Sequence, residues 1–344
     1  MVRVNRHVRT ALGVAGATLL LLVVLEGTVQ WFLFGRMLWS VQEPLAERVH
    51  TEHDELLGWI HLPNVRIADC YGPGRTLTTN SQRFRATTDY GAEPPPGRVR
   101  VVCSGDSFTL GYGVGDEQTW CHLLGEVDPR LEPVNMGQGG YGNDQAFLWY
   151  RRDGAGLGHR VHVFSFIFAG FDRMKSKRFI GYPKPRLRLS DGELVADNVP
   201  VPEGALASPR ATQWAVALEQ LGLYRAVRRL ATPAADVLSD AEVRALSLAM
   251  FAELDAQNRA HGSQLLLVWL PTPQDLAPAD HDLLRYFVGH ECAARGWAFL
   301  DLVEPVRALA PAEAAALFDG HFTTAGNRWA AERIAARIGG LLDG

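Results

Sequence analysis

At residues 99–111 the chain reads VRVVCSGDSFTLG, and this stretch decides the fold. Its first five residues predict a buried strand, and glycines at 105 and 111 permit a sharp turn into a helix. A serine on such a turn lies exposed at the carboxyl end of an α/β sheet. Ser107 is therefore a candidate nucleophile, provided that a base is held beside it to activate the hydroxyl.

Strand-like and helix-like segments alternate along the rest of the chain. Strands are predicted at Val99–Cys103, Leu131–Asn135, Val161–Phe168, Gln264–Leu270 and Ala298–Leu302. Helices are predicted at about Thr119–Glu126, Gln145–Arg152, Asp240–His261, Asp280–Arg295 and Asn327–Leu342. Because parallel strands need right-handed crossovers, this order predicts an α/β fold, a three-layer doubly wound parallel sheet.

A second glycine-rich turn follows the strand predicted to begin at residue 131. It reads NMGQGGYGN at 135–143, and its bare backbone N–H groups could face an oxyanion. The turn has neither the Gly-Lys-Ser/Thr of a P-loop nor the spacing of a dinucleotide fingerprint. The sequence therefore predicts an anion-binding turn without a nucleotide, and the chemistry needs no metal or organic cofactor.

The candidate base lies far along the chain, at Asp319-Gly320-His321. Asp319 and His321 are two residues apart, so in an extended segment both side chains project to one side. The carboxylate can then hold the imidazole by its Nδ1 hydrogen. Thr323 or Thr324 is predicted to cap the closing helix.

Together these blocks resemble the SGNH, or GDSL-type, hydrolase superfamily, from about Arg98 to Leu342. The resemblance implies a flavodoxin-like hydrolase fold in which Ser107 is the nucleophile and its own N–H serves the oxyanion hole. It implies that the N–H of Gly140 is the next donor, that His321 is the general base and that Asp319 orients it. The implied activity is that of a serine esterase or O-acyltransferase.

The third block of the family departs from its usual pattern. After the predicted third strand the chain reads FIFAGFD at 166–172, and Phe171 stands where the family has an asparagine that donates to the oxyanion. Loss of one such donor costs about 3 kcal/mol, or roughly 100-fold or more in rate. Asn143 is a candidate substitute donor. The alternative function is a catalytically impaired protein that binds glycan or scaffolds a membrane complex.

The first 35 residues predict a membrane anchor. Arg3, Arg6 and Arg9 precede an apolar stretch at 11–34, and about 24 residues are enough to cross a bilayer. The arginines place the N-terminus in the cytoplasm and the globular part outside it. We predict three parts: residues 1–35 as cytoplasmic tip and transmembrane anchor, 36–97 as a β-rich extension, and 98–344 as the hydrolase-like domain.

Composition limits the partners. The net charge is −4, and no basic run is interleaved with aromatic residues, so nucleic acid is an unsuitable partner. The expected partner is an ester-bearing substrate, and the family resemblance suggests an acylated envelope or exported glycan. Protein partners are unknown.

Several smaller features give further expectations. Residues 183–195 predict a hairpin about Asp191-Gly192, inside an insertion near 178–235. The hairpin is either a lid or wall over the substrate, or a surface hairpin with no role at the site. Four cysteines are too few for a disulfide scaffold, and Cys103 and Cys121 are either bridged or buried free thiols. His162 is expected in the core. The pair His50 and His53 lacks a third metal ligand.

Overall fold

A five-stranded parallel sheet lies at the centre of the fold. The computed structural model describes residues 50–180, 182–203, 237–279 and 281–343, with part of a helical stretch between residues 10 and 31. Ala46–Gly204 and Val237–Gly344 form one compact unit. Its strands are β1 (Thr51–Asp54), β2 (Gly58–His61), β3 (Arg66–Ile67), β4 (Leu77–Thr78), β5 (Val99–Gly105), β6 (Leu131–Gly137), β7 (Val161–Phe166), β8 (Arg178–Phe179), β9 (Tyr182–Pro183), β10 (Arg186–Ser190), β11 (Glu193–Asp197), β12 (Gln264–Trp269), β13 (Ala298–Asp301), β14 (Phe318–Asp319) and β15 (His321–Phe322). Its helices are α1 (Ser107–Leu110), α2 (Trp120–Val127), α3 (Asn143–Trp149), α4 (Phe168–Arg173), α5 (Asp240–Ala260), α6 (Asp282–Arg295), α7 (Val303–Arg307), α8 (Pro311–Ala316) and α9 (Thr324–Leu342).

The central strands lie in the order β6-β5-β7-β12-β13, and every neighbouring pair is parallel. The chain runs from β5 out to the edge strand β6 and then crosses back to β7 on the other side of β5. Ligands of open α/β sheets bind at such a switch point, outside the carboxyl ends of the strands. The predicted α/β fold with a parallel sheet is confirmed, and the switch point lies at the carboxyl ends of β5 and β7.

Helices cover both faces of the sheet. On one face α2 packs against α9 and β6, and Trp120 and Ile334 lie in the core. On the other face α3 packs against α5, and Phe147 and Phe251 are buried. Strand β7 is buried along its whole length, as expected for a parallel strand that is covered on both sides.

Some helix and strand ends differ from those predicted. The Thr323 hydroxyl accepts a hydrogen bond from the Gly326 N–H at 3.1 Å, so α9 begins earlier than residue 327. Strand β7 ends at residue 166, and the following apolar residues already belong to α4. Hydrophobic periodicity could not locate that boundary, because the apolar run continues through it. The helix predicted at 145–152 begins at residue 143 and continues as a π-helix at Tyr150–Gly154.

The buried guanidinium of Arg85 connects the β-rich extension to the loop after α1. Its Nη1 donates to the carbonyl oxygens of Leu110 and Gly111 at 2.7 and 2.8 Å. Its Nη2 donates to the carbonyl of Val114 at 2.8 Å, and its Nε pairs with Asp116 at 2.9 Å. A guanidinium offers five N–H donors in a fixed fork, so one side chain satisfies several backbone acceptors at once.

The predicted hairpin is formed by β10 and β11. Asp191 and Gly192 both have positive φ, 53° and 85°, as a type I′ turn requires. The hairpin contacts α3 and α5. Residues 204–235 of the predicted insertion lie outside the described residues.

The N-terminal predictions fall mainly on residues that are not described. Within the described part of the chain, no helix combines the length and apolarity that a bilayer span requires. Residues 1–9 and 32–35 of the predicted anchor, and 36–49 of the predicted extension, lie outside that part. The domain boundaries after residues 35 and 97 stay predictions.

The four cysteines are free thiols. Cys103 on β5 and Cys121 on α2 share a hydrogen bond, and burial raises the pKa of the Cys103 thiol well above its ordinary value. Of the two alternatives that the sequence left open for this pair, the structure has the free thiols.

Candidate active site

Ser107 is the first residue of α1, one residue after the N-cap Asp106 that follows β5's last residue. The exposure expected from the sequence is wrong, since only 4% of Ser107 is exposed. The turn is tight because a Cβ at Gly105 would lie 2.2 Å from Thr109 Oγ1 and 2.6 Å from Ser165 Oγ, so only glycine fits. Asp106 is the N-cap, and its Oδ1 accepts the N–H of Phe108 at 2.9 Å. Asp106 therefore caps α1.

His321 meets Ser107 across 214 residues of sequence. The distance from Ser107 Oγ to His321 Nε2 is 2.8 Å, a normal hydrogen bond. The imidazole lies between the rings of Phe108 and Tyr112, with centroids 4.7 and 5.1 Å away. The structure therefore brings the two residues together with the geometry that a nucleophile and its base require.

Asp319 lies opposite His321 in the two-stranded β14–β15 pair. Gly320 makes the turn between them with φ of 71°. The Asp319 residue is exposed. Its assignment as the residue that orients His321 stays a prediction.

Gly140 lies in the turn between β6 and α3, with φ of 75°. A Cβ there would lie 2.7 Å from the ring of Phe179, so the close approach of that ring requires glycine. The indole N–H of Trp59 donates to the carbonyl of Gly139 at 2.9 Å. The aromatic rings of the extension and of the 178–183 segment therefore fix this turn, and the role of Gly140 as an oxyanion donor stays a prediction.

Arg173, which sequence reasoning did not identify, joins the two turns. Its Nη1 donates to Asp106 Oδ2 at 3.1 Å and to the carbonyl of Tyr141 at 2.9 Å. Its guanidinium also lies over the Phe179 ring, 5.0 Å from the centroid. Because Asp106 precedes Ser107 and Tyr141 follows Gly140, one nitrogen holds together the two segments that carry the candidate oxyanion donors.

Phe171 lies in the core. Its ring stacks on Trp269 with centroids 5.2 Å apart and meets Phe166 edge-on at 5.3 Å. The side chain is 1% exposed. The position where the family carries its donor asparagine is therefore part of the apolar packing and presents no polar group to the crevice.

Two amide side chains of the second turn are buried without a hydrogen-bond partner among the described residues. They are Gln138, through both side-chain atoms, and Asn143, through Nδ2. Asn143 Oδ1 lies 2.2 Å from the point where a Cβ at Gly170 would be. The Asn143 amide therefore rests against the bare backbone of α4, one residue before Phe171.

A buried ion pair supports the start of α3. Lys184 Nζ lies 2.8 Å from Asp144 Oδ2, and both side chains are fully buried. Lys184 also donates to the carbonyls of Pro185 at 2.7 Å and Ser176 at 3.3 Å. Burial raises the pKa of Asp144 and lowers the pKa of Lys184. The 176–185 segment is thus anchored beside the second turn.

Other sequence candidates lie away from this site. His162 is fully buried and lies 2.7 Å from Ser104 Oγ, as expected for a core histidine. Asp172 is largely exposed and pairs with Lys175 at 2.9 Å. His50 is buried, whereas His53 is exposed, and they form no candidate metal cluster within the described residues.

One group of side chains in the described part of the chain has metal-ligand spacing: Asp275, His281 and Asp282. Its oxygens already have protein donors. Asp275 Oδ2 accepts from the Thr272 hydroxyl at 2.6 Å, and Asp282 Oδ2 pairs with Arg307 at 3.0 Å. A guanidinium therefore supplies the positive charge that a metal ion would bring, and the group is a structural ion-pair network.

Buried histidines predict a loss of stability in acid. Burial lowers the pKa of His61, His159 and His162 below the ordinary value. Below about pH 6.5 these histidines bind protons in the unfolded chain but stay neutral in the folded chain. The free energy of unfolding therefore falls by up to about 1.4 kcal/mol per pH unit for each histidine. Urea titrations between about pH 7.5 and pH 5.5 measure this slope. His162→Gln should make it shallower, and an unchanged slope would contradict the assignment.

Comparison with known proteins gives structural matches only. No protein-family model and no curated protein matches the sequence significantly. The fold is similar to a putative lipolytic protein of the G-D-S-L family from Desulfitobacterium hafniense, with 14% identity, a TM-score of 0.39, and coverage of 70% of this chain and 99% of that chain. It is similar to a putative acylhydrolase from Bacteroides fragilis, with 15% identity, a TM-score of 0.40, and coverage of 73% of this chain and 91% of that chain. It is similar to a member of the lipolytic G-D-S-L family from Veillonella parvula, with 12% identity, a TM-score of 0.38, and coverage of 69% of this chain and 97% of that chain.

Proposed function

We propose that this chain is a serine ester hydrolase of the SGNH type, with Ser107 as nucleophile and His321 as general base. The observation that carries the proposal is the 2.8 Å hydrogen bond between Ser107 Oγ and His321 Nε2. It lies at the switch point of the sheet, where α/β proteins bind their ligands. A nucleophile on a rigid turn, within hydrogen-bond reach of a base, is the arrangement that acyl transfer needs.

The reaction follows from this geometry. Ser107 Oγ forms a bond to the ester carbonyl carbon while its proton passes to His321 Nε2, and the carbonyl π electrons move to the oxygen. The backbone N–H groups of Ser107 and Gly140 donate to that oxyanion. The C–O bond to the alcohol then breaks, and the leaving oxygen takes the proton from His321. Water, deprotonated by His321, releases the acid and restores Ser107.

Asp319 is proposed to orient His321 and to stabilise the imidazolium. Its position opposite His321 across the Gly320 turn supports this role. The carboxylate is exposed, and water screens its charge more than it would in a buried triad.

We propose further that the catalytic region is extracytoplasmic and is held at a membrane by the N-terminal segment. The support is the order of charges, three arginines within residues 1–9 followed by a predominantly apolar stretch of about 24 residues in which Glu26 is the one charged residue. The family resemblance suggests an acylated envelope or exported glycan as substrate. Transfer of the acyl group to a sugar hydroxyl would give an acylated sugar, whereas hydrolysis gives the free acid, so product analysis with glycan acceptors distinguishes the two reactions.

A second function, glycan binding or scaffolding by a catalytically impaired protein, is favoured by one observation. Phe171 lies in the core, so the third block supplies no side-chain donor to the oxyanion. In that case Ser107 would be unreactive although the protein is folded.

A fluorophosphonate probe tests the proposed function. The full chain should become labelled at Ser107, and Ser107→Ala and His321→Ala should abolish labelling. Ser104→Ala is the matched control, because Ser104 forms a second Ser–His pair, with His162 at 2.7 Å, that is fully enclosed in the sheet. That variant should label as the wild type does. Folded wild-type protein that takes up no probe would favour the binding protein instead.

A further inference from the structure

The unpaired amide of Asn143 calls for a physical explanation. Buried polar groups in folded proteins nearly always have hydrogen-bond partners, and a buried donor without one is costly. Asn143 Nδ2 is buried and has no such partner in the part of the chain that the structure describes. A site that keeps an unsatisfied donor is a candidate for a donor that acts on something absent from the resting protein.

The fold brings this amide to the crevice. Asn143 begins α3, three residues after Gly140, and its Oδ1 rests against Gly170 of α4. Helix α4 follows β7, the neighbour of β5 on the far side from the second turn. The amide therefore lies between the second turn and the segment after β7, at the carboxyl ends of the strands, where Ser107 follows β5.

Arg173 fixes the separation of these segments. Its Nη1 donates both to Asp106, next to the nucleophile, and to the carbonyl of Tyr141, two residues before Asn143. Asn143 and Ser107 also have the same low exposure, 4% each. Both residues are thus buried in segments that Arg173 joins.

We propose that Asn143 Nδ2 is the third donor of the oxyanion hole, together with the N–H groups of Ser107 and Gly140. The assignment rests on the proposed function. As the Ser107 Oγ–carbon bond forms, negative charge collects on the former carbonyl oxygen, and Nδ2 donates to it. Nδ2 has no hydrogen-bond partner among the residues that the structure describes. The interaction is therefore made in the transition state without breaking another within that part of the chain, which is what accelerates a reaction.

Gln138 provides the internal comparison. Its side-chain amide is also unpaired, but it is 0% exposed, and its backbone N–H is bonded to the Gly105 carbonyl at 3.2 Å. Gln138 has no part in the proposed oxyanion hole. Gln138→Met therefore removes an unpaired amide from the same turn without touching the oxyanion.

The experiment measures the rate at which the fluorophosphonate probe labels Ser107 in the full chain. The phosphoryl oxygen of the probe occupies the oxyanion hole while fluoride leaves, so the measurement needs no knowledge of the natural substrate. Asn143→Ala and Asn143→Asp should slow labelling roughly 100-fold. Gln138→Met should label at the wild-type rate. Thermal unfolding of Asn143→Ala should occur at the wild-type temperature or above, because Nδ2 has no hydrogen-bond partner in the described part of the chain.

Each outcome decides. Equal labelling rates for wild type and both Asn143 variants would overturn the third donor and leave the proposed function intact. If Asn143→Ala labelled slowly and also unfolded at a lower temperature than the wild type, Asn143 would have a structural role. Slow labelling of Gln138→Met would have the same meaning for the turn. Either result would overturn the assignment of Asn143 as third donor. Absence of labelling in folded wild-type protein would overturn the proposed function itself. For any aryl ester that the wild type hydrolyses, Asn143→Ala should lower kcat about 100-fold and change KM little.

Discussion

His321→Ala should lower kcat/KM for an activated short-chain ester by roughly 10⁴-fold. In the described part of the chain the imidazole is the one side chain hydrogen-bonded to Ser107 Oγ, so without it the hydroxyl loses the group that takes its proton as the acyl bond forms. Ser107→Ala should cause a loss of the same size. The double variant should be no worse than either single variant, because a nucleophile and its base act as one unit.

Steady-state kinetics of the three variants test this coupling. His122→Ala is the control, since His122 is a half-exposed histidine on α2 that lies beside Glu126, and it should retain wild-type kinetics. Losses that add in the double variant would mean that the two residues act in separate steps, and the hydrogen bond between them would then have no catalytic meaning.

Lys184→Met should lower the free energy of unfolding by about 3–5 kcal/mol. Both partners of the Lys184–Asp144 pair are fully buried, so removing the ammonium leaves a carboxylate without a counter-charge in an apolar environment. Adding Asp144→Asn to Lys184→Met should recover much of the loss, since the charge that remained uncompensated is then removed. Urea unfolding of the single variants and the double variant gives the coupling energy.

Arg130→Met is the control for this cycle. Arg130 pairs with Asp128 at 2.8 Å on the surface, where solvent and salt screen the charges, and its loss should leave stability unchanged. If the double variant at 184 and 144 were as unstable as the sum of the single variants, the two side chains would not be acting as a pair.

The sequence was sufficient for those parts of the site that depend on local pattern. The strand, tight turn and helix around Ser107 follow from a run of β-branched residues and closely spaced glycines, and the Thr323 cap follows from residue type alone. The meeting of Ser107 with His321 required the family resemblance, because no periodicity relates residues 214 apart.

The remaining features depend on tertiary packing. Phe171 could be aligned with the family asparagine, but only the structure shows its ring stacked on Trp269. Arg173 and Lys184 carry no motif, and each acquires its role from carbonyls and carboxylates that distant segments bring to it. The unpaired state of Asn143 is likewise a property of its surroundings, which the sequence does not encode locally.

Arg85 has a consequence for how this protein can be divided. Its single guanidinium supplies donors to three carbonyls between residues 110 and 114, at the end of α1 and just after it, and it comes from a segment upstream of the sequence blocks. A shortened polypeptide beginning at residue 98 would keep every sequence block yet leave those acceptors unsatisfied. The stretch ahead of the first block is therefore an internal scaffold of the reactive loop, and engineering that grafts or trims this protein has to carry it along.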